Sequence, residues 1–336
     1  MEGRRVIAVD MTHRGGPTSD SHDMDGGAAA LLLAGWQKLP PEYRMPARTP
    51  TLAEAQDYCR KLAESHYENF HVATWFLPRR LRPHFQSIYA YCRISDDLGD
   101  EIGNPAQSLA LLDFWNAELD ACYRGECRHP VYVALAETIR ICSIPKEPFA
   151  DLLVAFRQDQ TVERYSTMQD VLEYCRYSAN PVGRLVLYAC GHREPELFSL
   201  SDFTCTALQL ANFWQDIRDD DRRNRIYLPQ ADMQRFGVTE EQIHARRFSP
   251  EFGALMRHEV AYTQELFKQG SALPGRVDRE LAVDLTLFSR GGEEILRAIV
   301  RQGYDVLRAR PVISKPRKAA LLLRALLSKL AARPAA

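Results

Sequence analysis

The stretch Tyr89–Glu101 ends in a dense group of carboxylates, Asp96, Asp97, Asp100 and Glu101, which follows a largely apolar run. Asp96 and Asp100 are four residues apart, so on a helix they share one face. Like charges at that spacing destabilise a helix by roughly 0.2–0.5 kcal/mol per pair. An otherwise apolar helix that accepts this cost indicates that a cation binds at the two carboxylates.

A second acidic face lies in Gln209–Asp220. Asn212, Asp216 and Asp220 follow one another at intervals of four residues, so they line one side of a helix over two turns. Gln209 extends the same side, and the positions in between are mostly apolar. One acidic run alone is also typical of a solvated helix end, but two runs embedded in apolar sequence favour a shared site.

Two such helices facing each other would form an oxygen-only site of carboxylates and the Asn212 amide. Mg²⁺ suits hard oxygen ligands and keeps water or phosphate oxygens in its shell. Ions in such a site stabilise a departing diphosphate, and nearby arginines donate to the remaining phosphate oxygens. Aromatic side chains then stabilise the carbocation that is left. The pattern therefore predicts magnesium-dependent ionisation of an organic diphosphate.

Cap signals predict an all-α protein. Thr51-Leu-Ala-Glu54 is a capping box ahead of a helix, and Asn104-Pro105 is typical of another helix start. The sequence shows no Asn-Gly hairpin signal and no clean alternating strand pattern. We expect an irregular leader over residues 1–50, which are rich in Gly and Pro, and a single domain of about ten helices over residues 51–312.

The C-terminal part combines an apolar-periodic stretch with positive charge. Val277–Leu307 reads as helical, and we expect an interruption near Gly291-Gly292. Residues 313–336 form a basic, amphipathic tail that either packs on the domain as a helix or lies on a membrane surface. The excess of basic residues from Arg290 onward favours anionic partners, either lipid head groups or a phosphorylated ligand.

Composition narrows the class of protein further. The net charge of −1 does not favour binding to nucleic acid. The eight cysteines are scattered without a Cys-x-x-Cys pair, which is typical of reduced cysteines in a cytosolic protein rather than of a zinc site or a disulfide scaffold. No apolar run is long enough to cross a bilayer. No Gly-x-Gly-x-x-Gly fingerprint of dinucleotide binding is present either.

Tyr91–Glu101 and Asn212–Asp220 resemble the two aspartate-rich motifs of the squalene/phytoene synthase family, whose members are all-α isoprenoid synthases with a helical bundle around a central cavity. Arg225-Ile-Tyr-Leu-Pro229 follows the second motif as it does in the family. The resemblance implies two or three Mg²⁺ ions, held by Asp96, Asp100, Asn212, Asp216 and Asp220 with support from Asp97 and Glu101. It also implies that Arg93, Gln209, Arg225 and Tyr227 bind the substrate, that Tyr174 is the catalytic tyrosine, and that Asp96 and Asp216 are essential for catalysis.

Two segments depart from the pattern of family members that condense two prenyl diphosphates. His66-Tyr-Glu-Asn-Phe70 places Glu68 where those members carry a lysine, and the lost cation should weaken binding of a second diphosphate. Ala179-Asn-Pro-Val-Gly183 replaces an Ala-Gly-x-Val-Gly segment. Pro181 inside a helix would free one backbone carbonyl, and Asn180 adds an amide. Together they predict a polar spot beside the catalytic tyrosine that can hold water, with Asn180 as a catalytic residue.

Both departures are similar to one branch of the family, the bacterial hydroxysqualene synthases of squalene and hopanoid biosynthesis. This implies a lyase that ionises presqualene diphosphate with Mg²⁺ and captures the rearranged cation with water, giving hydroxysqualene and diphosphate without NAD(P)H. A presqualene diphosphate synthase would supply the substrate, and a flavin-dependent reductase would act on the product. The alternatives are a transferase that makes presqualene diphosphate or phytoene from two prenyl diphosphates, and an assembly subunit without activity.

Two expectations concern the surroundings of the site. His66 either binds diphosphate or is a hydrogen-bonded structural residue, and the sequence leaves both interpretations open. The apolar substrate implies that the active site opens near a membrane. We therefore expect a cytoplasmic protein with peripheral contact to the inner face of the cell membrane through its basic tail.

Overall fold

The computed structural model describes residues 26–65, 78–318, 320 and 321. The described helices are α1 Gly26–Lys38, α2 Leu52–Ser65, α3 Arg82–Asp100, α4 Pro105–Tyr123, α5 Pro130–Cys142, α6 Glu147–Gln158, α7 Met168–Ser178, α8 Asn180–Ala189, α9 Pro195–Asp221, α10 Gln230–Phe236, α11 Glu240–His244, α12 Pro250–Gly270 and α13 Arg279–Arg301. Short 3₁₀ turns occupy Pro41–Tyr43 and Leu273–Arg276. The described residues contain no strand, only an isolated bridge between Arg164 and Ile226, so the predicted all-α fold is confirmed.

Both cap signals act as predicted. The Thr51 hydroxyl accepts from the Glu54 backbone N–H at 3.3 Å, while the Glu54 carboxylate accepts from the Thr51 N–H at 2.8 Å. This reciprocal pair satisfies two backbone donors at the start of α2. The Asn104 side chain accepts from the Gln107 N–H at 3.0 Å, and Pro105 occupies the first turn of α4. Local chemistry therefore sets both helix starts.

The irregular leader that we predicted for residues 1–50 is wrong over Gly26–Lys38. Residues 26–38 form α1, which packs against α4, and the ring of Trp36 meets Phe114 edge-on with 5.8 Å between centroids. Trp36, Leu39 and Tyr43 are all buried. The helix owes its stability to this tertiary packing, which cap and periodicity signals in the sequence do not report.

The predicted interruption of the last long helix is also wrong, because α13 runs unbroken through Gly291 and Gly292. A Cβ on Gly292 would lie 2.5 Å from the ring of Phe267 and 2.7 Å from Leu208, which is closer than real contacts allow. Glycine at this position therefore lets α13 approach α12 and α9 rather than ending the helix.

The buried apolar side chains form two large clusters. One surrounds Tyr91, Trp115 and Phe149 among the N-terminal helices, and the other surrounds Trp214 and Phe252 among the C-terminal helices. Helix α3 belongs to the first cluster, while α9, the longest described helix, packs against α12 and α13 in the second. The acidic faces of α3 and α9 therefore come from different halves of the bundle.

The C-terminal tail packs on the domain where it begins. Residues 315–318 are helical, and Arg317 donates to Glu294 of α13 at 3.0 Å. The remainder of the tail beyond residue 321 lies outside the described residues. None of the helices in the described ranges has the length and apolarity that a bilayer span requires.

Candidate active site

A cavity of about 440 Å³ lies between the acidic faces of α3 and α9. Its lining contains most of the site residues that the sequence predicted: Arg93, Asp96, Asp100, Tyr174, Gln209, Asn212, Asp216, Asp220, Arg225 and Tyr227. The four-residue spacing on each helix thus does place the carboxylates on faces that meet. The roles of these residues remain predictions.

The carboxylates on the cavity wall fall into two groups, those whose charge is poorly compensated and those paired with arginines. Burial and the neighbouring Asp100 raise the pKa of Asp96 to about 7, against the opposing influence of Arg93. Burial and the neighbouring Asp216 likewise raise the pKa of Asp220 to about 7. On each helix one carboxylate is therefore poorly compensated, and a cation would stabilise its charged form.

Arginines from outside the two helices neutralise the other two carboxylates. Arg223 and Arg225, which follow α9, donate to Asp100 of α3 at 3.2 and 3.3 Å. Arg310 donates to both oxygens of Asp216, at 3.1 Å for the Nη2–Oδ2 pair. These contacts bring basic side chains to the same mouth of the cavity as the acids, where phosphate oxygens would find donors.

The donor set fits Mg²⁺ bound mostly through water and phosphate. Within the described ranges, no three carboxylate, imidazole or thiolate side chains converge as a preformed metal cage. The oxygens are instead spread over two facing helices, as Asp96 with Asp100 and Asp216 with Asp220, next to the Asn212 amide. Magnesium is usually held in this way, by one or two carboxylates together with water and substrate phosphates.

Asp97 does not line the cavity. Its carboxylate is buried, accepts from Arg93 Nε at 3.0 Å and accepts from the Tyr43 hydroxyl at 2.7 Å. Glu101, which caps α3 through its backbone N–H, is exposed and is absent from the cavity wall as well. This geometry does not support the prediction that Asp97 and Glu101 assist a metal ion. Asp97 instead holds Arg93 in place.

Buried aromatic rings line the end of the cavity that is farther from solvent, here called its inner or aromatic end, whereas Asp100 and Arg223 are more exposed. Phe213 and Tyr227 stack with 3.7 Å between centroids, and the ring of Tyr174 lies within 6.0 Å of both. Tyr165 packs against Tyr174 and Tyr227 behind them. Faces of such rings attract positive charge, so this wall suits a carbocation formed at the acidic end.

Asp159 and Ser178 also line the cavity, and sequence reasoning missed both. The Tyr174 hydroxyl donates to Asp159 Oδ2 at 3.0 Å, and burial raises the pKa of Asp159 to about 6 while Arg225 opposes that shift. Asp159 follows the end of α6 without any periodic or motif signal. Ser178 could have been found, because it stands four residues after Tyr174 and shares its helix face.

Asn180 and Pro181 do not form the predicted polar spot. Helix α7 ends at Ser178, and Pro181 lies in the first turn of α8, where a proline removes no helical hydrogen bond. The Asn180 side-chain oxygen accepts from the Thr206 hydroxyl at 2.9 Å, and Asn180 is not part of the cavity lining. The direct catalytic role predicted for Asn180 is therefore not supported. His66 and Glu68 lie outside the described residues.

A second, apolar cavity of about 280 Å³ adjoins the first, and Tyr89, Cys92 and Val182 line both. Its wall is almost wholly hydrocarbon and includes Phe85, Ile88, Val186, Leu208, Leu281, Leu285 and Phe288. A ligand with a charged head and a long apolar tail fits this pair of cavities, with the head between α3 and α9.

Comparison with known proteins shows the family to which the chain belongs. The sequence profile of the squalene/phytoene synthase family matches residues 63–317. The chain is 30% identical to the 15-cis-phytoene synthase of Synechococcus elongatus over 80% of its length and 91% of that protein. It is 33% identical to the hydroxysqualene synthase of Rhodopseudomonas palustris over 69% and 79% of the two chains. The crystal structure of squalene synthase HpnC from Alicyclobacillus acidocaldarius superposes with a TM-score of 0.73 at 46% identity, covering 80% of this chain and 98% of that one.

Proposed function

The chain belongs to the squalene/phytoene synthase family, and we propose that within it the protein is a hydroxysqualene synthase. In this proposal it ionises presqualene diphosphate with the help of Mg²⁺, allows the cation to rearrange, and captures it with water to give hydroxysqualene and diphosphate. The reaction consumes no NAD(P)H. The observation that carries the proposal is one cavity with carboxylates and arginines at its mouth and aromatic rings at its inner end.

The residues at the mouth account for ionisation. Asp96, Asp100, Asp216 and Asp220, together with the Asn212 amide, would hold two or three Mg²⁺ ions, which when bound neutralise the leaving diphosphate. Arg223 and Arg225 lie beside them and would donate to the remaining phosphate oxygens. Arg93, oriented by Asp97, lines the same wall.

The aromatic end and the apolar cavity account for the fate of the cation. Tyr174, Phe213 and Tyr227 line the cavity as a cluster of aromatic rings, which would stabilise positive charge. The apolar cavity would hold the hydrocarbon tails and limit access of bulk water. Capture of the cation by a single held water is therefore compatible with this architecture.

Carboxylate variants test the metal assignment. Asp96→Ala and Asp216→Ala should abolish turnover while the thermal unfolding midpoint stays near that of the unmodified protein, because both side chains are partly solvent-accessible. Activity that survives either substitution would refute the assignment of these faces to magnesium.

A condensing transferase is the second candidate, because phytoene synthases match the chain over as much of its length as hydroxysqualene synthases do. Purified protein with Mg²⁺ and either farnesyl diphosphate or presqualene diphosphate, without reductant, separates the two candidates. Hydroxysqualene formed from presqualene diphosphate supports the proposal. Turnover of farnesyl diphosphate without any turnover of presqualene diphosphate would refute the proposal and favour the transferase.

The proposal places the protein between a presqualene diphosphate synthase and a flavin-dependent reductase, and at a membrane surface. Substrate and product are both largely hydrocarbon, and the basic tail over residues 313–336 suits anionic lipid. Flotation with anionic liposomes, comparing the full chain with a chain that lacks residues 314–336, tests this contact. Equal partitioning of the two proteins would rule out the tail as the membrane anchor.

A further inference from the structure

Buried polar atoms without partners gather at the aromatic end of the cavity. Among the described residues, Asp159 Oδ1, Ser178 Oγ and the Tyr165 hydroxyl have no hydrogen-bond partner. An unpaired buried polar atom costs about 1–3 kcal/mol, so a group of them in one place requires an explanation. Asp159 and Ser178 both face the cavity, where a small polar molecule can reach them.

The hydrogen bond between Tyr174 and Asp159 determines which atoms of the two side chains can still donate or accept a hydrogen bond. Tyr174 uses its only proton to donate to Asp159 Oδ2, which leaves the phenol oxygen as an acceptor. Asp159 Oδ1 is a second acceptor, and Ser178 Oγ can either donate or accept. A water molecule has two protons to donate and lone pairs to accept with, so these three groups match its bonding capacity.

We propose that Asp159 accepts the proton of the water that captures the carbocation, and that Ser178 helps to hold this water. The inference rests on the proposed function, which supplies the carbocation. It moves the water site from Asn180, where the sequence placed it, to the part of the cavity wall that contains Asp159, which follows α6, and Ser178, the last residue of α7.

The step balances without any further reactant. A lone pair of the water oxygen forms the new C–O bond to the cationic carbon, and one O–H bond breaks as its proton passes to Asp159 Oδ1. The carboxylate becomes a neutral carboxylic acid, and the substrate becomes an alcohol. The electrons of the original C–O bond have already left with the diphosphate.

Other titratable groups on the cavity wall are poorly suited to this task. Asp96, Asp100, Asp216 and Asp220 stand at the diphosphate end, where metal or arginine would engage them. Burial raises the pKa of the Cys92 thiol to about 12, so it offers no thiolate. The described lining contains no histidine. Asp159 is thus the carboxylate of this wall that lies at the aromatic end.

The charges around Asp159 allow it to act in both protonation states. Arg225 donates to its backbone carbonyl at 3.2 Å and favours the carboxylate, whereas Asp100 and burial favour the acid. Tyr165, Tyr174 and Tyr227 surround it as neutral phenols, because burial raises the pKa of each. A base of this kind can take up a proton and release it again within one catalytic cycle.

The test compares Asp159→Asn with Asp159→Glu in the full chain, incubated with Mg²⁺ and presqualene diphosphate. Asparagine keeps an oxygen for the Tyr174 hydroxyl but cannot accept the proton. Diphosphate release and alcohol formation are measured separately, and thermal melting checks the fold. We expect the share of alcohol among the products of Asp159→Asn to fall at least tenfold, with hydrocarbons formed by proton loss in its place, while diphosphate release falls less. Asp159→Glu should recover part of the alcohol.

An unchanged share of alcohol in Asp159→Asn would overturn the inference, as would an equal loss of diphosphate release and alcohol in a folded variant. If Asp159→Asn does not fold, Ser178→Ala replaces it and should lower the share of alcohol by itself; an unchanged share there would have the same meaning. If the unmodified protein makes no alcohol, the proposed function fails and this inference fails with it. Failure of the variants alone leaves the proposed function intact.

Discussion

The Tyr43 hydroxyl donates to Asp97 at 2.7 Å and thereby ties the segment that follows α1 to the helix that carries the first acidic face. Asp97 in turn accepts from both Arg93 Nε and Arg93 Nη2. A buried chain of three side chains therefore leads from the N-terminal segment to an arginine on the cavity wall. The orientation of Arg93 depends on a residue far outside either aspartate-rich motif.

Tyr43→Phe should lower the free energy of unfolding by about 1.5–3 kcal/mol, since it removes a buried hydrogen bond to a charged acceptor. Tyr58→Phe is the matched control, because its hydroxyl donates to the backbone oxygen of Glu42 in an exposed bond and should cost about 1 kcal/mol or less. Urea unfolding measures both variants. Equal losses would show that the bond to Asp97 contributes no more than an exposed one.

Although the two residues are adjacent, Asp96→Asn should impair Mg²⁺-dependent binding, whereas Asp97→Asn should impair stability. Asp96 faces the cavity, so its substitution should weaken Mg²⁺-dependent binding of inorganic diphosphate and leave stability nearly unchanged. Asp97→Asn removes the buried partner of Arg93 and should destabilise the fold by about 3 kcal/mol while metal binding persists. Calorimetric titration measures Mg²⁺-dependent diphosphate binding by both variants, and thermal melting measures their stability. Loss of Mg²⁺ binding in a stable Asp97→Asn protein would make Asp97 a metal ligand after all.

Arg310→Met should tighten binding of Mg²⁺ by up to about fivefold in the absence of substrate. Arg310 pairs with Asp216, and an exposed pair of this kind contributes about 1 kcal/mol or less that the metal would have to displace. Arg308→Met removes a positive charge two residues away without breaking that pair, so it serves as the control. Weaker Mg²⁺ binding in Arg310→Met would mean that the arginine supports the metal rather than competing with it.

Glu259 should make stability fall as pH rises. The residue is fully buried on α12, and neither carboxylate oxygen has a hydrogen-bond partner among the described residues. Burial, with a smaller influence of Asp232, raises its pKa to about 8, against about 4.3 in an unfolded chain. Between these values the folded protein binds more protons than the unfolded chain, so its stability declines with pH by at most about 1.4 kcal/mol per unit.

Glu259→Gln should remove this decline between pH 6 and pH 8, and thermal or urea unfolding across that range measures it. Glu265→Gln, on the same helix but exposed and paired with Lys268, should keep the decline of the unmodified protein. A pH profile of Glu259→Gln that parallels that of the unmodified protein would contradict the prediction.

The sequence by itself determined the helical class and the two acidic faces. Side chains four apart share a helix face whatever the helix packs against, so the spacing alone assigned Asp96 with Asp100, and Asn212 with Asp216, to common faces. Cap residues such as Thr51 and Asn104 act through neighbours within three positions, so their signals were equally reliable.

Only the tertiary structure decided whether each remaining residue faces the cavity or the packed interior of the bundle. Adjacent residues on a helix point about 100° apart, so whether Asp96 or Asp97 faces the cavity depends on what packs behind α3, and that is Tyr43. Asp159 meets Tyr174, and Arg310 meets Asp216 across 94 positions of sequence. Such contacts arise where segments that are distant along the chain converge, and no local pattern of residues encodes which segments those are.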